Sequence, residues 1–153
     1  MPKILIVDDD ATSRRLYTSL LTPYGYCVLE ARDGKEGLSV AQTETPDLVI
    51  SDIVMPTING YEFVQHLRKL PQHQHTPVIF HSVNLLDEEA RALGSACGIS
   101  RFILKPFDPQ QALATIQEAL KSDLSEAPAA KRDPIPLLLN AYFVKGKKFD
   151  ASV

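Results

Sequence analysis

Asp8 and Asp9, Asp52, Ser82 and Lys105 are the residues whose types and settings suit chemistry on a phosphate. Each stands where a short apolar run stops. Residues 4–7 end at Asp8-Asp9-Asp10, residues 48–50 at Ser51-Asp52, residues 77–80 at His81-Ser82, and residues 101–104 at Lys105-Pro106. If those runs are neighbouring strands, three carboxylates, a hydroxyl and an ammonium meet at one edge. Clustered carboxylates repel one another, and a hard divalent cation relieves the repulsion. Oxygen ligands select magnesium, with manganese as a substitute, over zinc. A cation beside Asp52 pairs a phosphoryl group with that carboxylate. Lys105 holds a further phosphoryl oxygen as a point charge, and Ser82 donates a hydrogen bond. The set suits phosphoryl transfer to a carboxylate.

The elements that must position these groups follow from periodicity. The runs at 4–7, 48–50, 77–80 and 101–104 are continuous and rich in branched or aromatic residues, as strands buried on both faces are; residues 26–31 make a fifth strand. Helices are expected over 12–21, with Leu16, Leu20 and Leu21 as its apolar stripe, and over 34–41, N-capped by Asp33. Others are expected over 61–70, with Phe63, Val64, Leu67 and Leu70 inward, and over 87–96, with Glu88 and Glu89 in its first turn. Asp108 and Pro109 open a last helix that runs to about Lys121. Five alternating strand–helix units imply an open, doubly wound five-stranded parallel sheet. Ligands of such sheets bind outside the carboxyl ends of the strands.

The chain has 153 residues, 44% of them hydrophobic, and a formal net charge of -3. That gives material for one core and no global signal for nucleic acid or an anionic membrane. Cys27 and Cys97 stand in unrelated contexts and read as small buried apolar residues. Two cysteines make no disulfide framework, and no apolar run approaches the length of a bilayer. The first strand begins almost at Met1, which leaves no room for a signal peptide, so a cytoplasmic location is expected. Residues 1–121 read as one domain, 122–136 as a linker of Ala, Pro, Ser and charge, and 137–153 as a tail of unknown role. The apolar stretch at 137–144 leaves a docking peptide, a dimer contact and the stub of an effector domain all open.

Taken together, Ile6-Val7-Asp8-Asp9-Asp10, Ser51-Asp52-Ile53-Val54-Met55-Pro56, Asn59-Gly60, Ser82 and Lys105-Pro106-Phe107 resemble the receiver-domain (CheY-like) family of bacterial two-component response regulators, over about residues 3–121. The resemblance implies a flavodoxin-like (βα)5 fold with strand order 2-1-3-4-5. It implies that Asp52 is the phosphoacceptor and that Asp8, Asp9, Asp52 and the backbone carbonyl of Val54 hold magnesium. Lys105 would bind the phosphoryl group through a cis bond to Pro106, with Ser82 and Phe102 as the switch pair. The implied partners are a sensor histidine kinase or phosphotransfer protein and a downstream protein or effector. A homodimer through the fourth helix, fifth strand and fifth helix is also implied. No direct nucleic-acid or membrane binding is expected. Val83, where a smaller residue is more usual, together with Val54 and Asn84, suggests slow exchange of the phosphoryl group with water.

Two other readings compete with this one. A phosphorylation-independent protein-binding scaffold would not need the intact set Asp8, Asp9, Asp52, Ser82 and Lys105. An aspartyl phosphatase would need an acid two residues after the nucleophile, where this chain has Val54, so no enzymatic turnover beyond self-phosphorylation and self-dephosphorylation is expected. The first loop also lacks the Gly-x-Gly-x-x-Gly of a dinucleotide fold. His73 and His75 read as part of a solvated loop, and His81 as a strand-end side chain near the pocket.

Overall fold

The computed structural model describes residues 1–82, 99, 101–104 and 108–121. Its strands are β1 (Lys3–Val7), β2 (Cys27–Ala31), β3 (Leu48–Asp52), β4 (Val78–Ser82) and β5 (Arg101–Leu104). They form one sheet in the order β2-β1-β3-β4-β5, with every pairing parallel. The helices are α1 (Ala11–Leu21), α2 (Gly34–Glu44), α3 (Gly60–Arg68) and a C-terminal helix, Pro109–Lys121. This is the expected sheet with the expected strand order. The expected helix over 87–96, the linker and the tail lie outside the described residues.

Alternation along the strands sorts two cores onto the two faces of the sheet. Ile4, Ile6, Ile50, Ile79 and Ile103 pack with Tyr17 and Leu21 of α1 and with Ala112, Ile116 and Ala119 of the C-terminal helix. Leu5, Val7, Val49 and Phe80 face the other way, onto Ala41 of α2 and Tyr61, Phe63, Val64 and Leu67 of α3. Side-chain caps start the helices beside the sheet edge. Asp10 accepts from the Thr12 N–H, Asp33 from the Glu36 N–H, and Asn59 with Glu62 forms a capping box. The Asp108 carboxylate accepts from the Gln110 N–H at the start of the last helix.

Three local expectations change. Leu16 is 43% exposed, and Tyr17 takes its place in the inward stripe with Leu20 and Leu21. Helix α2 runs on to Glu44, because Thr45 ends it in the left-handed region, with φ 47. His73 is not solvated. It closes the short 3-10 turn Pro71–His73 and is buried, with Nε2 2.8 Å from the Ala41 carbonyl and Nδ1 2.7 Å from the Thr76 hydroxyl. Both ring nitrogens are used, so this histidine is a strut between α2 and the approach to β4; His75 alone stays exposed. Cys27 is half-buried on the edge strand, and Cys97 lies outside the described residues.

Candidate functional site

The carboxyl ends of β1 and β3 stand side by side, because Val7 pairs with Ser51. The next residues therefore bring Asp8 and Asp9 against Asp52. One carboxylate oxygen from each of the three lies within 4.8 Å of the others. The acids differ in burial: Asp8 is 1% exposed, Asp52 is half-buried and Asp9 is exposed. That grading makes a cup with a fixed floor and an open rim.

The three aspartates at the end of β1 divide their work. Asp10 caps α1, while Asp8 and Asp9 face Asp52. Asp8 is anchored at several points. Its N–H donates to the Ala31 carbonyl at 3.0 Å, its Oδ1 accepts from the Asp10 N–H at 2.9 Å, and its carbonyl accepts from Arg14 at 2.8 Å. Asp52 Oδ1 accepts from the Ile53 N–H at 2.9 Å. The following loop turns tightly: Thr57 holds a φ of 74, rare for a β-branched residue, and the Gly60 N–H returns to the Ile53 carbonyl at 2.7 Å. Val54 packs its side chain against the core, so only its backbone is available to a cation.

Beneath the cup lie His81, which the sequence sets near the pocket, and Tyr17, which it does not. His81 pairs in register with Asp52, is buried, and sets Nδ1 4.0 Å from Asp8 Oδ2. The Tyr17 ring meets His81 edge-on, with centroids 5.3 Å apart. Burial pushes the Tyr17 hydroxyl far above its ordinary value of 10.0, and the charges of Asp8 and Asp52 push it the same way. It therefore keeps its proton when the unfolded chain loses one. The unfolded state binds fewer protons above pH 10, so stability falls as pH rises there, by up to about 1.4 kcal/mol per pH unit for one such group. Tyr17→Phe is expected to remove that component. Urea titrations at pH 10 and pH 11 should show a shallower loss in the variant, and equal losses would contradict the assignment.

The remaining site residues are placed in part. Ser82 ends β4, on the strand that pairs with β3, and its hydroxyl lies outside the described part. Lys105, Pro106, Val83 and Asn84 lie outside the described residues. Phe102 on β5 is half-buried, packs against the α2–α3 core, and has its ring 6.2 Å from Phe80. Arg14 and Tyr17 were missed. For Arg14 the deciding fact is strand register: Glu30 pairs with Ile6 and so stands on the α1 side of the edge strand, within reach of a helix cation.

Among the described residues no helix is long and apolar enough to cross a membrane. Comparison with known proteins agrees with the geometry. The family model described as response regulator receiver domain matches residues 4–117. Protein PilH of Pseudomonas aeruginosa is 37% identical over 121 residues, covering 78% of this chain and 98% of PilH. A probable transcriptional regulator, ycf27, of Porphyridium aerugineum is 36% identical over 143 residues, covering 94% of this chain and 58% of that protein. The chain thus spans only about half the length of the ycf27 relatives it matches. The chemotaxis response regulator CheY4 of Vibrio cholerae superposes with a TM-score of 0.73 at 36% identity, covering 77% of this chain and 98% of CheY4. A family match that runs from the first strand into the last helix, over a sheet of the same design, settles the question: this chain belongs to the response regulator receiver domain family of two-component signalling.

Proposed function

We propose that the chain is a phosphorylation-dependent switch that accepts a phosphoryl group on Asp52 from a sensor histidine kinase or phosphotransfer protein. The observation that carries this reading is the convergence of Asp8, Asp9 and Asp52, three carboxylates within 4.8 Å of one another, at the carboxyl edge of a parallel sheet. So tight a set of like charges suits a hard divalent cation. Asp8, Asp9, Asp52 and the Val54 carbonyl would hold magnesium, which would supply the positive charge that lets an anionic phosphoryl group approach an anionic acceptor.

An oxygen of Asp52 attacks the phosphorus of the donor phosphohistidine. The phosphorus–nitrogen bond breaks, and the departing nitrogen keeps the electron pair and takes up a proton. Lys105 holds a second phosphoryl oxygen, and Ser82 donates a hydrogen bond to another. Phe102 then turns inward, and the face that β5 and the C-terminal helix would share with the helix expected over 87–96 changes shape. A downstream protein or effector, or a second copy of the chain, reads that face. The new charge shifts the balance only by its differential interaction with the two states. Val54 stands two residues after the acceptor, where an aspartyl phosphatase carries its second acid. The chain thus acts as a phosphoacceptor rather than an enzyme, and self-dephosphorylation is its only hydrolysis.

The test is intact mass spectrometry after incubation with magnesium and a small acyl phosphate, with Asp52→Asn alongside. A gain of one phosphoryl group in the wild type, absent from the variant, is the expected result. An equal gain in both would move the acceptor elsewhere. No gain from either the small donor or a histidine kinase, with magnesium binding also absent, would return the chain to the scaffold reading.

A further inference from the structure

Arg14 takes no part in the chemistry proposed above, yet it is tied to the cup more firmly than a surface arginine needs to be. Its side chain leaves α1 and is 15% exposed. Nη1 donates to the Asp8 carbonyl at 2.8 Å, and Nε donates to Glu30 Oε1 at 2.9 Å. Glu30 stands on β2, and its second oxygen accepts from the Thr18 hydroxyl at 3.1 Å, one turn further along α1. One planar guanidinium thereby joins helix, edge strand and the turn after β1. With the Asp8 N–H held by Ala31 on the same edge strand, the backbone of Asp8 is fixed on both sides of its Cα. Asp9 and its exposed carboxylate follow directly from that carbonyl.

We propose that Arg14 is a positioning residue of the acidic site: by bridging the Asp8 carbonyl to Glu30, it fixes the turn that carries Asp8 and Asp9 and so raises the site's affinity for a divalent cation. The inference rests on the reading of the cup as a magnesium site. A lysine cannot replace the arginine fully, because one ammonium does not present two donors in a rigid fork. Groups that orient metal ligands are worth about ten- to a hundredfold in affinity.

Two effects of removing Arg14 have opposite signs, which makes the test sharp. As a bare positive charge near three carboxylates, Arg14 would oppose a second cation, so its loss would tighten magnesium binding. As a positioning group, its loss loosens the turn and weakens binding. Calorimetric titration with magnesium chloride alone, at a temperature where melting curves show every variant folded, reads the sign directly.

Arg14→Ala is expected to weaken binding about tenfold. Arg14→Lys should fall between it and the wild type. Glu30→Gln, which keeps an acceptor for Nε, should bind within about twofold of the wild type, while Glu30→Ala weakens binding as Arg14→Ala does. If Arg14→Ala does not fold, Arg14→Lys and Glu30→Ala decide. Unchanged or tighter binding in the Arg14 variants, with normal binding in the wild type, overturns this proposal alone. Absence of magnesium binding in the wild type overturns it together with the magnesium reading beneath it.

Discussion

Gly60→Ala is expected to cost about 2–4 kcal/mol of stability and to disturb the backbone of Asp52 at the same time. A Cβ at residue 60 would lie 2.5 Å from the Asp52 carbonyl oxygen and 2.9 Å from the Ile53 Cα. Both are backbone atoms, so no side chain can swing away to relieve the contact. Alanine is the better helix former by up to about 1 kcal/mol, and Gly60 opens α3, so propensity pulls the other way. Steric conflict with backbone outweighs that gain. Gly25 provides the contrast. It is left-handed, with φ 89, but a Cβ there meets nothing within 4 Å, so Gly25→Ala should cost only about 1 kcal/mol. Urea midpoints for both variants check the pair. A near-neutral Gly60→Ala would mean that the loop after β3 has slack the structure does not show. Because the displaced atom is the carbonyl of Asp52, the proposed acceptor, phosphoryl uptake should also slow in Gly60→Ala and stay normal in Gly25→Ala.

Asp8→Asn is expected to reverse the order of stability with and without magnesium. Asparagine can keep the acceptor role toward the Asp10 N–H while removing one charge from the cup. Without a divalent cation, relief of repulsion should make the variant the more stable protein. With magnesium, the loss of a carboxylate from a fixed, buried position should weaken binding about a hundredfold, the upper end of what even outer-shell partners cost. At a magnesium concentration a hundred times the wild-type Kd, the wild type gains about 2.7 kcal/mol, and a hundredfold weaker site gains about 0.4 kcal/mol. Melting curves in EDTA and in magnesium chloride would show the two proteins exchange places. Equal stabilisation of both by magnesium would remove Asp8 from the ligand set.

The sheet was readable because four of its strands are short apolar runs closed by an acid, a hydroxyl or a lysine. Each run announces both its burial and the edge at which its chemistry sits. Asp8, Asp9 and Asp52 could thus be brought together from position alone, and the structure does bring them together. What sits under them was not readable in the same way. Leu16 and Tyr17 are adjacent, and helical spacing alone does not decide which of two neighbours turns inward. The tyrosine goes in, where its ring meets His81. His73 was misjudged because a polar loop composition says nothing about one ring finding a carbonyl on a helix more than thirty residues earlier. The Arg14–Glu30 bridge depends on the register of β1 with β2, which only the paired backbone reveals.

Strand order also governs when the cup can exist at all. β1, the earliest strand in the chain, lies between β2 and β3, and the acids belong to β1 and β3. No partly assembled hairpin brings Asp8 to Asp52, because a parallel pair needs the whole crossover to be in place. A cation spanning that seam would thus be coupled to separation of β1 from β3 rather than to local fraying. It should slow amide exchange most at β1 and β3 and barely at the termini. Occupancy of the cup would therefore report whether β1 and β3 have docked across the whole crossover between them.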